Sequence, residues 1–321
     1  MHHRLSTLAI AALVAAAAGC ARADERATDD TSSRRVSESR SPESDSALAR
    51  AAIANAKRDD FGDTLPLALV PRRIVSLNPA TTELFFALGA GGRLVGRTEY
   101  DLYPREAVTV PALGGGMRPN VEAILGVRPD LVVLYASTEN RDAAARLRAA
   151  GVPTLSMRVD RIEQFRRAVA RLGEILGDTI TASVVVDSVD RTLEAVRAAT
   201  AGRPRPATFW KAWDSPVIAI GGGSFLTELV DIAGGRNIYG GDPRPSLDVT
   251  IEDVVRRDPD VVLAGPESAS RMRAAPAWQA LRAVREGRVL VVDTVLVGRP
   301  GVRLGEAAAS LARLLHPGAL P

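Results

Sequence analysis

A fifteen-residue block occurs twice in this chain, and no other feature limits the fold so tightly. Asn120-Val-Glu-Ala-Ile-Leu-Gly-Val-Arg-Pro-Asp-Leu-Val-Val-Leu134 aligns with Thr250-Ile-Glu-Asp-Val-Val-Arg-Arg-Asp-Pro-Asp-Val-Val-Leu-Ala264. Glu122, Pro129 and Asp130 thus recur 130 residues later as Glu252, Pro259 and Asp260. Upstream, Thr82-Glu83-Leu84 with Gly-Gly-Arg at 91–93 recurs as Thr227-Glu228-Leu229 with Gly-Gly-Arg at 234–236. Downstream, both copies run through a helix-spaced stretch and a glycine, Gly151 or Gly287, into a β-branched run. The offset far exceeds the roughly 20–50 residues of a stacked solenoid repeat. Two related units follow, each larger than a repeat module.

The composition of each unit tells its class. Short β-branched runs at 73–77, 131–134, 152–157, 261–263 and 289–293 alternate with helical spacing, which predicts an α/β fold with largely parallel strands covered on both faces. Between the units, Asp160 and Glu163 fit a capping box. Ile162, Phe165, Val169, Leu172 and Ile175 then recur at helical spacing. Gly177 ends that helix and Asp178 is placed to cap the next. Residues 178–201 contain no Gly or Pro, and Ala182, Val185, Val189, Thr192 and Val196 form a stripe. Such a rod is roughly 30–35 Å long at 1.5 Å per residue. The fold class predicted is α/β: two Rossmann-like lobes with parallel sheets joined by one long bridging helix. The stiff crossing is expected to limit hinge closure.

The N-terminus reads as an address. Met1-His-His-Arg4, an apolar run from Leu8 to Ala18 and Gly19-Cys20 match a secretory signal, and the run is shorter than the roughly 20 residues that span a bilayer. Ala17-Ala-Gly-Cys20 is similar to a bacterial lipobox, with Ala17 where leucine is usual. Cys20 is the only cysteine, so it is the predicted lipidation site and no disulfide supports the fold. Residues 21–46 are too polar to offset chain entropy by burial. The expected organisation is a lipoprotein signal over 1–19, a disordered tether over 20–60, an N-terminal lobe over 61–177, the bridging helix over 178–201 and a C-terminal lobe over 202–321. An exported lipoprotein, anchored to a membrane only by lipid and facing the periplasm or cell exterior, is expected.

The rare residues exclude whole classes of chemistry. The three histidines are His2, His3 and His316, so signal removal leaves one, near the C-terminus. Ser-His-Asp and Cys-His catalysis, thiolate zinc sites and multi-histidine metal sites all lack their residues. Lys57 and Lys211 are the only lysines, and neither stands in a phosphate-binding G-x-x-x-x-G-K-[ST] loop. The 41 basic and 38 acidic residues are interspersed, which is no nucleic-acid footprint.

With these features in place, the chain over about residues 71–317 resembles the helical-backbone periplasmic binding proteins for cobalamin, ferric siderophores and haem, the receptors of ATP-binding-cassette importers. The cues are Ser76-Leu-Asn-Pro-Ala-Thr-Thr-Glu83, the glycines from Gly89 to Gly96, Tyr100-Asp-Leu-Tyr-Pro104, Gly114-Gly-Gly-Met-Arg-Pro-Asn-Val-Glu122 and Arg128-Pro-Asp130. In the second unit they are Gly223-Ser-Phe-Leu226, Ala233-Gly-Gly-Arg-Asn-Ile238 and Arg299-Pro-Gly-Val-Arg303. The resemblance implies a monomeric, non-enzymatic carrier that hands a metal chelate to an ABC permease dimer with its ATPase subunits. A corrinoid leads, followed by ferric siderophore and haem. It also implies that Glu122 and Glu252 dock on permease arginines, and that Tyr100, Tyr135 and Arg299 match receptor positions. Gly115 and Ser246 stand near positions where cobalamin receptors carry tryptophan, which departs from that ligand. A carboxylate-dependent hydrolase is the rival from another class, and it lacks a G-x-S-x-G nucleophile loop.

Ligands in open parallel sheets gather beyond the carboxyl ends of the strands. That rule selects Asn78, Tyr100, Tyr135, Trp213 and Arg299, with Met117 and Arg118 on the glycine-rich loop, as ligand-binding candidates. No resident cofactor or metal is expected. Several candidates have a second reading. Asn78-Pro79 also reads as a helix cap with a first-turn proline. Trp213 also reads as a core strand residue. Trp210 and Trp278 read as packing, Tyr103 as the brace of a turn, and Gly221-Gly-Gly-Ser224 as a turn ending in a cap.

Overall fold

The structure is a computed structural model that describes residues 58–67 and 69–320. The signal, Cys20 and nearly all of the tether lie outside the described residues. The first unit contains β1 (Ile74–Leu77), α1 (Pro79–Ala87), β2 (Leu94–Gly96), α2 (Val121–Gly126), β3 (Leu131–Tyr135), α3 (Thr138–Ala149) and β4 (Thr154–Met157). Its sheet has the order β2-β1-β3-β4 and every pairing is parallel. Strands β1 and β4 are buried along their whole length, as expected of a sheet covered on both faces.

Two long helices follow, α4 (Ile162–Leu176) and α5 (Thr179–Thr200). The second unit runs β5 (Ala207–Trp213), β6 (Ile218–Ile220), α6 (Phe225–Ile232), β7 (Arg236–Asn237), β8 (Ser246–Asp248), α7 (Ile251–Arg257), β9 (Val261–Ala264), α8 (Pro266–Ala274), α9 (Arg282–Arg285), β10 (Val289–Val291), α10 (Thr294–Val297) and α11 (Leu304–Leu315). The parallel path β7-β5-β9-β10 repeats the order β2-β1-β3-β4. The duplicated blocks therefore occupy equivalent places in two sheets.

The second sheet is not purely parallel, which corrects that part of the expectation. Strand β6 pairs antiparallel with β5, and β8 pairs antiparallel with β6. A short turn over 214–217 joins β5 to β6, and so short a connection can only return antiparallel.

The repeated Pro-Asp has a mechanical cause. The Asp130 carboxylate accepts from the backbone N–H groups of Arg72 and Arg73 at 2.8 and 2.9 Å, while its own N–H donates to Arg73 O at 2.8 Å. Asp260 repeats this at Ala207, accepting at 2.8 Å and donating at 2.7 Å. The helices before these joints are capped by Asn120 and Thr250.

Between the units, Gly177 closes α4 in the left-handed region at φ 75° and Asp178 caps α5 by accepting from Thr181 N. The predicted Asp160–Glu163 capping box does not form. Arg161 is the N-cap, Gln164 Oε1 reaches back to Asp160 N at 2.6 Å, and Glu228 accepts from Ile162 N at 2.9 Å. The buried stripe of α5 is Ala182, Val189, Leu193, Val196 and Thr200, so Leu193 takes the place predicted for Thr192. Helix α5 packs against α4 and α11. A Cβ on Gly173 would lie 2.4 Å from Ala182 Cβ, and one on Gly305 would lie 1.8 Å from Thr192 Oγ1. These glycines let the three helices approach closely. One buried cluster runs from Phe85 and Phe165 through Val189 to Leu229 and Leu311.

Candidate ligand site between the two lobes

A cavity of about 800 Å³ opens between the carboxyl ends of the two sheets. Tyr135 and Ser137 reach it from the end of β3, Arg158, Asp160 and Arg161 from the segment joining β4 to α4, and Gln164 from the first turn of α4. Trp210, Lys211, Trp213 and Asp214 face it from the end of β5. Phe225, Ser268 and the residues around Val295 complete the wall. Its volume lies within the range of small-molecule sites, roughly 300–1,000 Å³.

The Tyr135 hydroxyl donates to Asp160 Oδ1 at 2.6 Å. Burial pushes the Tyr135 phenol up, and the neighbouring Asp160 charge adds to the shift. Burial also raises Asp160, against the hydrogen bond from Tyr135 and the charge of Arg158. The opposite wall is aromatic. Trp213 is half-buried, with its indole N–H donating to Ser215 O at 3.2 Å. Flat ring faces of this kind suit a large planar ligand.

Sequence reasoning missed the charge buried beside these rings. Lys211 is 2% exposed; its Nζ donates to Ser268 Oγ at 2.7 Å and pairs with Asp214, which Arg271 also engages. Burial lowers the Lys211 pKa. Burial pushes Asp214 up, but the bonds from Arg271 and Lys211 outweigh it and leave the carboxyl below its usual value. The available signal was a lysine inside the aromatic run Phe209-Trp-Lys-Ala-Trp213.

The structure brings Tyr135 and Trp213 together at the cavity and leaves the other candidates outside its wall. Asn78 caps α1, accepting from Ala80 N at 2.9 Å. Met117 stands behind the wall, its Sδ 3.8 Å from the Ser137 hydroxyl. Arg118 is exposed at φ 49°, with its N–H donating to Asn140 Oδ1. The half-buried Tyr100 uses its carbonyl to accept from Arg299 Nη2 at 2.5 Å. Arg299 Nη1 lies 3.6 Å from Glu83 Oε1, within ion-pair range, but is buried without a hydrogen-bond partner. Burial raises Glu83, against the charges of Arg303 and Arg299.

The remaining tryptophans pack as predicted: Trp210 is 4% exposed, and Trp278 stacks on Phe209 with centroids 6.1 Å apart. A Cβ on Gly221, Gly222 or Gly223 would come within 2.2 Å of the carbonyl oxygen of Arg244, Gly240 or Pro243, respectively. Close backbone approach therefore requires this glycine run, and Ser224 caps α6. Glu122 and Glu252 are exposed in the first turns of α2 and α7. His316 is buried away from the cavity, with Nε2 3.2 Å from Gly234 O. Among the described residues, no three His, Cys, Asp or Glu side chains form a cluster able to hold a metal ion.

Comparison with known proteins agrees with this architecture. The chain is 29% identical over 255 residues to the uncharacterized ABC transporter substrate-binding lipoprotein YvrC of Bacillus subtilis, covering 77% of this chain and 81% of that protein. It is 25% identical over 244 residues to the vitamin B12-binding protein of Vibrio cholerae, covering 76% of this chain and 88% of that one. Among solved structures, the periplasmic heme-binding protein BhuT in complex with two hemes superposes with a TM-score of 0.68 at 26% identity, over 76% of this chain and 97% of that one. The periplasmic binding protein family matches residues 74–296, most of the described chain, and this protein belongs to it.

Proposed function

We propose that this protein is the substrate-binding component of an ATP-binding-cassette importer and carries a metal chelate, with a cobalamin-type corrinoid favoured. The observation that carries the reading is the inter-lobe cavity of about 800 Å³, with Tyr135 and the Trp213 indole on opposing sides. The names of the relatives support it. A corrinoid brings its metal already coordinated by its own ring, so the protein needs to supply shape, stacking faces and hydrogen bonds. The Tyr135 hydroxyl, which donates to Asp160, suits that role better than ligating an iron.

Tyr135 and Trp213 contact the cargo in this reading, with Tyr100 and Met117 behind or beside them. The protein releases its cargo unchanged. Glu122 and Glu252 present one carboxylate per lobe to a two-fold permease. Cys20 carries the lipid that holds the protein at a membrane, since a single acyl chain anchors only marginally and a multiply acylated cysteine anchors stably. Mass spectrometry of the mature chain tests that assignment, and an unmodified Cys20 overturns it.

Tryptophan-fluorescence titration with cyanocobalamin, haemin and ferric hydroxamate or catecholate chelates tests the ligand. Saturable quenching by cyanocobalamin at the lowest concentration supports the corrinoid. Preferential binding of haemin transfers the site to the second reading, for which BhuT is the precedent. Silence across the panel overturns the metal-chelate reading.

A further inference from the structure

The repeated Thr-Glu-Leu is left without a role by the ligand site, although both copies carry their glutamate to one kind of partner. Glu83 sits in α1, between β1 and β2, and Glu228 in α6, between the equivalent strands β5 and β7 but after the inserted strand β6. Arg303 Nη2 lies 3.3 Å from Glu83 Oε1, and Arg161 Nη2 lies 2.9 Å from Glu228 Oε1. Arg303 is the N-cap of α11 and Arg161 is the N-cap of α4. Each of these helices follows the last parallel strand of the other lobe. The duplication has therefore produced a reciprocal exchange: each lobe extends an arginine at a helix start, and the opposite lobe receives it on the same glutamate.

The two clasps have independent support from their surroundings. Glu83 is 1% exposed and takes Arg299 as a second cation, while the Arg303 guanidinium lies 3.9 Å from the centre of the Tyr103 ring. At the other clasp, Glu228 Oε2 accepts from Ile162 N and Arg161 Nη1 donates to Gly222 O at 2.6 Å. The Asp160 carbonyl accepts from Phe225 N at 2.7 Å beside it. Both clasps adjoin the cavity. Arg161 forms part of its wall, and Arg303 Nη2 reaches the carbonyl of Val295, another wall residue.

We infer that Glu83 and Glu228 are positioning residues of a paired inter-lobe clasp that fixes the separation of the lobes and so the width of the cavity. A lobe movement that widens the cleft has to part an arginine from a carboxylate at two places. A buried carboxylate separated from its partners is costly to leave unpaired. The lobes are already joined by the α5 rod and by the buried cluster that runs through both, and the two ties add bonds next to the cavity that opening has to break. The consequence for cargo release rests on the ligand reading above; the geometric claim does not.

The test measures lobe separation directly and without ligand. Spin labels go on Asp142→Cys in α3 and Ala277→Cys near α8, both exposed, in the full chain carrying Cys20→Ser. Double electron–electron resonance should give one narrow distance for the parent. Glu228→Ala, and separately Glu83→Gln with Glu228→Ala, should add a longer, broader component. The exchanged pair Arg161→Glu with Glu228→Arg restores the ion pair but not the bonds to Ile162 N and Gly222 O, so it should shift the distribution part of the way back toward the parent, which mere damage to packing would not. Glu228→Ala, on the more exposed clasp, keeps the test readable if the Glu83 variant does not fold. A folded Glu228→Ala protein with the parent distance distribution overturns the clasp. Failure of cyanocobalamin, haemin and ferric chelates to bind would overturn the ligand reading and leave this distance result standing.

Discussion

Tyr135 and Asp160 form one hydrogen-bonded unit in the cavity wall, phenol donating to carboxylate at 2.6 Å across the end of the first sheet. Burial raises Asp160 above its usual value, so the native state holds its proton more tightly than the unfolded chain. The stabilisation linked to this group is full below the unfolded value of about 3.9 and is lost as pH rises through the raised native value. Asp160→Asn keeps an acceptor for Tyr135 and removes the titration. Thermal unfolding followed upward from about pH 4 should show a flatter pH dependence for the variant than for the parent. Parallel profiles would contradict the role of burial.

The aromatic walls should carry much of the affinity. Tyr135→Ala and Trp213→Ala are each expected to weaken cargo binding by about 1–3 kcal/mol, roughly five- to 150-fold. Calorimetric titration with the ligand selected by the fluorescence panel measures this. Asn78→Ala should leave affinity unchanged and lower stability by about 1 kcal/mol, because its side chain caps α1. The opposite pattern would move the site.

The buried ammonium of Lys211 gives an asymmetric pair of outcomes. Asp214→Ala leaves that cation with the Ser268 hydroxyl and the Trp278 ring face but no counter-charge, and should cost about 3 kcal/mol in urea unfolding, at the low end for a broken buried pair because Asp214 is partly exposed. Lys211→Met removes the charge while Arg271 still holds Asp214, and should cost less than about 1.5 kcal/mol. Equal losses would mean that Lys211 acts through its packing volume.

Charge reversal at both exposed glutamates separates docking from helix stabilisation. Glu122→Arg with Glu252→Arg should retain ligand affinity while abolishing uptake and permease-stimulated ATP hydrolysis. As first-turn carboxylates they also interact favourably with the helix dipole, by about 0.3–1 kcal/mol each, so a small drop in stability is expected as well. Normal uptake by a folded double variant would place the docking surface elsewhere.

The two-lobed plan was legible because it was written twice, and each copy used local signals of strand, cap and joint. The rule that places ligands beyond strand ends selected Tyr135 and Trp213, and both line the cavity between the lobes. Arg299, selected by the same rule, lies outside the cavity wall beside Glu83 of the other lobe, a pairing that no local pattern announces. The Asp160–Glu163 spacing fitted a capping template, but Tyr135, 25 residues earlier, claims that carboxylate. Strands β6, β7 and β8 have two or three residues each, too few to establish a period. Lys211 shows the opposite limit: its charge was visible, but the Asp214 and Ser268 that make it tolerable come from a turn and a separate helix.

The aspartates at the two Pro-Asp joints have a consequence for alignment. A hairpin sets the pairing of its strands through its turn, but β1 and β3 are parallel and meet across a separation of 57 residues between Arg73 and Asp130. Nothing local tells such strands how far to slide. Sliding by one residue would send every inward side chain to the other face. Asp130 can satisfy the Arg72 and Arg73 amides only in the native alignment, and Asp260 sets the same gauge for β5 and β9. The joint thus works as a ruler: one carboxylate per sheet measures the offset between distant segments and favours the native pairing through charge-assisted bonds that a shifted one would lose to water.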